Sequence, residues 1–143
     1  MSSSTKVERK LAAIMFTDIA NYTAISAKDS QKALQLLDNQ NEIVKPILDN
    51  HNGNLLKEIG DGLLITFESV TSAVECAVEI QKLTKDIDGL NLRIGIHEGE
   101  VTLKDGDVFG DDVNIASRIE PFSAIGGVAV SHKIQQAISS NKD

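Results

Sequence analysis

The sequence predicts an α/β (α+β) fold: a ferredoxin-like βαββαβ core with an antiparallel sheet, followed by a C-terminal α/β extension. Three observations lead there. Short apolar or alternating runs mark strands at 11–17, 54–59, 63–67 and 91–97. Helical spacing of apolar residues marks helices at 30–49 and 70–85. In chain order these elements read β-α-β-β-α-β, the split arrangement in which two helices pack on one face of the sheet.

The first strand, LAAIMFT, is an apolar run ending at Asp18. In the first helix Ala33, Leu34, Leu37, Val44, Ile47 and Leu48 fall on one face, and Asn52-Gly53 stops it. Gly60-Asp61-Gly62 joins the next two strands as a three-residue hairpin turn. Val70, Ala73, Val74, Ala77 and Ile80 give the second helix its apolar stripe. Leu92, Ile94 and Ile96 then alternate with Arg93, Gly95 and His97. Beyond them the pattern predicts a short strand at 100–104, an acidic loop at 105–110, a helix at 111–120, a strand at 127–131 and a last helix at 131–138. Residues 1–9 read as a disordered leader and 10–143 as one domain with no internal repeat.

Composition narrows the function. The 143 residues are 41% hydrophobic and 24% charged, as in an ordinary globular domain. No apolar run approaches the ~20 residues of a membrane-spanning helix. Cys76 is the only cysteine, so no intrachain disulfide can form, which fits a cytoplasmic setting. A formal net charge of −7 argues against nucleic acid as a partner. A polyanionic small molecule would need a cation to mediate its binding.

Two aspartates follow strand ends. In a split βαβ the first strand of the hairpin, or the turn after it, can lie beside the C-terminal end of the first strand, so Asp18 and Asp61 can converge despite their separation in sequence. A converging carboxylate pair suits a hard divalent ion whose shell is completed by phosphate oxygens. Each aspartate alone reads equally as a helix cap or a turn residue. The loop DGDVFGDD could suggest a calcium site, but Phe109 and Ala116 stand where the fifth and twelfth ligands would be needed. On the following helix Asn114 and Arg118 lie one turn apart, able to hold a sugar oxygen and a phosphate, or simply to face solvent.

Four stretches together resemble the class III nucleotidyl cyclase catalytic domain, in its bacterial adenylate cyclase form. They are LAAIMFTDIANYT, KEIGDGLLITF, LRIGIHEGEV and DVFGDDVNIASRIE, in the family's order from Leu11 to about Ser131. The resemblance implies conversion of ATP to 3′,5′-cyclic AMP and pyrophosphate. It implies that Asp18, Asp61 and the Ile19 backbone carbonyl hold two Mg²⁺ or Mn²⁺ ions per active site. One ion would activate the ribose 3′-hydroxyl, and the other would clamp the leaving pyrophosphate. Lys57 and Asp107 fall at the purine-reading positions, where a Lys and an Asp suit adenine. Asn114 would orient the ribose and Arg118 would stabilise charge at the α-phosphate. The family's sites lie between subunits, so a chain carrying both residue sets implies a homodimer.

Some positions depart from the family pattern. Ala20-Asn21 replaces a hydrophobic-Gly pair, and Asp112 stands where a small residue is common. The family's final β-hairpin, with its triphosphate-binding lysine, is expected to be missing, and neither Lys133 nor Lys142 matches that lysine. A non-catalytic nucleotide-binding or dimerisation module is therefore the second reading, with regulatory domains flanking the cyclase domain in a longer protein. A diguanylate cyclase is disfavoured because no G-G-D-E-F-like turn occurs.

Overall fold

The computed structural model describes residues 7–132 and 134–136. Its elements are β1 (Val7–Ile19), α1 (Tyr22–Lys28), α2 (Ser30–Asn50), β2 (Asn54–Ile59), β3 (Gly62–Phe67), α3 (Val70–Thr84) and β4 (Leu92–Lys104). They continue through β5 (Asp107–Phe109), α4 (Asp111–Ile119), a 3-10 turn (Glu120–Phe122) and β6 (Val128–Val130). Strands pair in the order β2-β3-β1-β4-β5, and β6 adds in parallel to the first half of β4. The antiparallel β2-β3-β1-β4 portion is the expected ferredoxin-like core.

The alternation of β1 sorts two cores. Ala13 and Met15 face α2 and α3 together with Ile65, Phe67, Val44, Ile47 and Ile80. Ala12 and Ile14 face the other way, where Leu64 and Val101 meet Val113 and Ala116 of α4. One strand thus supplies both layers because successive side chains point to opposite faces.

Several boundaries differ from the sequence reading. β1 starts at Val7, inside the stretch read as leader; residues 1–6 lie outside the described residues. The strands expected at 91–97 and 100–104 are one 13-residue strand, β4. The acidic loop contains β5, which folds back on the end of β4. α1 was not foreseen; it is seven residues long and buries none of them, so it carries no apolar stripe to read. Leu34 is 62% exposed, whereas Leu36 and Gln40 occupy the buried face of α2. The last predicted helix is represented only by residues 132 and 134–136, and Lys133 and Lys142 lie outside the described residues.

The hairpin turn has two residues rather than three, since Ile59 pairs directly with Gly62. Gly60 has φ of 61°, the left-handed value that a tight hairpin requires at its first turn position. Asp61 follows it at the tip. The register is also broken between Leu55 and Lys57, a bulge that bends β2 and increases its twist.

Candidate active site

The C-terminal end of β1 and the β2–β3 turn build a small cleft of about 230 Å³ lined by Phe16, Thr17, Asp18, Ile59, Asp61, Gly62 and Glu120. Pairing of Thr17 with Leu63 brings the turn level with Asp18. The Asp61 carboxylate accepts a 2.7 Å hydrogen bond from the Ile19 amide, which fixes it against the end of β1. The strand beside β1 is β3, the second strand of the hairpin rather than the first as expected, but the turn still brings Asp18 and Asp61 into one cleft. The atom of Ile19 seen engaged is its amide, whereas the sequence reading invoked its carbonyl.

A third carboxyl joins the pair. Glu120, the first residue of the 3-10 turn after α4, is 8% exposed and lines the same cleft as Asp18, placed for the two carboxyls to share a proton. Two carboxyls bond this way only when one keeps its proton. Burial, then the Asp18 hydrogen bond and charge, push Glu120 up to about 8. Burial also raises Asp18, with the Asp61 charge adding to it; the Glu120 hydrogen bond and Arg93 oppose the rise. The Arg93 guanidinium is 3.8 Å from Asp18 Oδ1, too far for a good hydrogen bond. Asp18 Oδ1 and Glu120 Oε2 are both buried without a hydrogen-bond partner among the described residues.

This electrostatic arrangement has a measurable consequence. Glu120 titrates near 4.5 when unperturbed and near 8 in the folded protein. The folded state therefore holds a proton that the unfolded chain releases, so stability is greatest below the first value and falls as pH rises through the second. The melting temperature of the cation-free protein should decline across this window. Glu120→Gln should flatten that decline, as followed by differential scanning calorimetry; an unchanged slope would contradict the assignment.

Gly95 makes the cluster possible. A Cβ at position 95 would lie 2.5 Å from the backbone N and Cα of Glu120. Because the obstacle is backbone, Gly95→Ala should destabilise by about 1–3 kcal/mol, the range for forcing an extra carbon into a packed interior. Urea denaturation would measure it.

The two purine-reading candidates also meet. Lys57 Nζ donates a 3.1 Å hydrogen bond to Asp107 Oδ1 across 50 residues of sequence. Their strands, β2 and β5, lie at opposite ends of the pairing order, yet they touch. The sheet must curl to bring them together, and the β2 bulge contributes to that curl. Asp107 is held below the usual carboxylate range first by the Val108 amide and then by Lys57.

Asn114 and Arg118 occupy the exposed face of α4, while Val113 and Ala116 bury the other. None of Lys57, Asp107, Asn114 and Arg118 lines the carboxylate cleft. The chain thus presents two separate groups of candidate residues. Asp112, at the start of α4, turns back onto β4, with Oδ1 2.9 Å from His97 Nε2 and Oδ2 accepting from the Glu100 amide. Its charge is engaged there, in space left open by the glycine at position 99. Asn21 caps α1 at φ 64°, the left-handed conformation that asparagine tolerates in place of the family's glycine.

The sequence reading missed Glu120 and Arg93. A signal existed for the first: Val113, Ala116 and Glu120 share helical spacing, so a carboxyl falls on the buried stripe. Arg93 is found only through its register position opposite Asp18. Among the described residues no group of three or more His, Cys, Asp and Glu side chains is arranged to hold a metal ion by itself. The crowding of poorly compensated carboxyls nevertheless fits a cation whose remaining ligands come from substrate.

Residues 5–143 match the family model of the adenylate and guanylate cyclase catalytic domain. The chain belongs to this family. A relative from Rhizobium meliloti (strain 1021), “Putative adenylate cyclase 3”, is 34% identical over 145 residues, covering 96% of this chain and 25% of its own length. The chain thus spans about a quarter of that protein. It is also similar to the crystal structure of an adenylate/guanylate cyclase/hydrolase from Silicibacter pomeroyi. That similarity has a TM-score of 0.87 and 32% identity, over 96% of this chain and 85% of the other. A mutant guanylyl cyclase domain of a fusion protein from Blastocladiella emersonii superposes with a TM-score of 0.84 at 28% identity, covering 94% and 87%. Relatives of this cyclase domain thus include adenylate and guanylate cyclases. Among the described residues, no helix is long and apolar enough to cross a membrane.

Proposed function

We propose that this cyclase domain converts ATP to 3′,5′-cyclic AMP and pyrophosphate at sites shared between two copies of the chain. The observation that carries the reading is the convergence of Asp18 and Asp61, with a buried Asp18 oxygen left without a hydrogen bond among the described residues. Asp18, Asp61 and the Ile19 carbonyl would hold two Mg²⁺ or Mn²⁺ ions, which supply a lowered 3′-hydroxyl pKa and positive charge against the triphosphate.

The remaining roles fall to side chains. Adenine presents an acceptor, N1, beside a donor, the N6 amine. The Lys57 ammonium and Asp107 carboxylate offer the complementary donor and acceptor 3.1 Å apart. Guanine reverses both groups and would leave them unpaired. Asn114 orients the ribose, and Arg118 stabilises charge developing around the α-phosphate. Separation of these four residues from the carboxylate cleft supports a homodimer in which each site takes Asp18 and Asp61 from one copy and the other four from its partner.

The test is a cyclic nucleotide assay at high protein concentration with Mn²⁺ and either ATP or GTP. ATP should be favoured about ten- to a hundredfold, the scale of leaving polar partners unmatched once the bound base covers them. The double substitution Lys57→Glu, Asp107→Ser should reverse the preference. Nucleotide binding without turnover would instead indicate a binding or dimerisation module.

A further inference from the structure

The buried face of α2 is apolar except at one position. Ala33, Leu36, Val44, Ile47 and Leu48 are joined there by Gln40, which is only 1% exposed. The Gln40 side-chain amide donates a 3.3 Å hydrogen bond to the backbone carbonyl of Asp61. Its own oxygen is buried and has no hydrogen-bond partner among the described residues. A glutamine so placed is a poor choice for stability: one long hydrogen bond does not offset a buried, unmatched carbonyl oxygen. An apolar side chain of similar length would fill the same space without that cost.

The gain lies at the other end of the bond. Ile59 and Gly60, which precede Asp61, are exposed, so little packing holds the turn from outside. The Ile19 amide grips the Asp61 carboxylate from β1, and Gln40 grips the Asp61 carbonyl from α2. Backbone and side chain of one residue are thus tied to two different elements. We propose that Gln40 is a positioning residue that anchors the β2–β3 turn and sets the Asp61 carboxylate beside Asp18. The inference rests on the proposed role of Asp61 for its effect on catalysis, but not for its effect on the turn.

Gln40→Met keeps the length and removes the donor. Hydrogen exchange followed by NMR should then be about tenfold faster at the amides of Ile19 and of residues 60–62, while the central β1–β4 ladder is unchanged. The melting temperature should equal or exceed that of the wild type. In a thermal-shift titration with Mn²⁺ alone, about tenfold more cation should be needed for the same stabilisation. At saturating cation and ATP, kcat should fall while KM is retained.

Unchanged exchange at Ile19 and the turn would overturn the inference, whatever the activity. So would a melting temperature that falls together with activity, because that is the result of a purely packing role. Faster local exchange in a protein that neither responds to Mn²⁺ nor turns over nucleotide would uphold the anchoring and reject the proposed function instead.

Discussion

Asp61→Asn should lower cyclic AMP formation by about two to three orders of magnitude, the usual cost of deleting one preorganised charge-stabilising group, while leaving the fold intact. The second half of that expectation follows from geometry. Asparagine retains an oxygen that can accept the Ile19 amide, so the 2.7 Å hydrogen bond that seats the turn can persist. What disappears is the negative charge. Removing it also relieves the repulsion that helps raise Asp18 and Glu120, so the variant should be as stable as the wild type or more so. Activity and melting temperature measured on the same preparation separate the two effects. Residual activity near wild type would remove Asp61 from the proposed cation site. A collapsed melting temperature would show that the carboxylate serves the fold instead.

Mixing Asp18→Asn and Arg118→Ala chains should restore activity that neither possesses alone. Asp18 belongs to the cleft group and Arg118 to the α4 face. In a heterodimer, one of the two shared sites receives both substitutions and the other receives neither. Random exchange makes about half the dimers heterodimers, each with one of two sites intact, so recovery should approach about a quarter of wild-type activity. A dilution series of the mixture should lose this activity with the dimer. Two inactive variants that dimerise without mutual rescue would refute the shared site, and either variant alone at wild-type rate would refute the assignment of its residue.

The helices were legible because burying one face imposes period 3.6, and β1 and β3, covered on both faces, were legible as short apolar runs. Legibility failed where the pattern is interrupted or absent. Leu92, Ile94 and Ile96 alternate with their neighbours, but Glu98, Gly99 and Glu100 interrupt the pattern, so β4 read as two shorter strands. At α2 the stripe passes through Gln40, and a polar residue on it diverted the reading to Leu34. The approach of Asp18 and Asp61 was legible in the split βαβ order, although the hairpin strand beside β1 is the second and not the first. The meeting of Lys57 and Asp107 could not follow from pairing order, which sets their strands at opposite edges; the family resemblance alone linked them. Glu120 is coupled to the site by Gly95, a contact that no local pattern encodes.

With Lys57 and Asp107 reading the purine as proposed, their ion pair makes the order of substitutions matter for a change of base preference. An exposed, solvent-screened pair of this kind contributes little to stability, so neutralising Asp107 first costs little. Changing Lys57 to Glu first would place two carboxylates where the ends of the sheet approach each other. It would push β5 away from β2 before any new base contact existed. The two single substitutions are therefore unequal intermediates, one nearly neutral and one that opens the curled sheet. Under the proposed purine-reading role, a lineage or an engineer has one easy route across this pair, and it begins at Asp107.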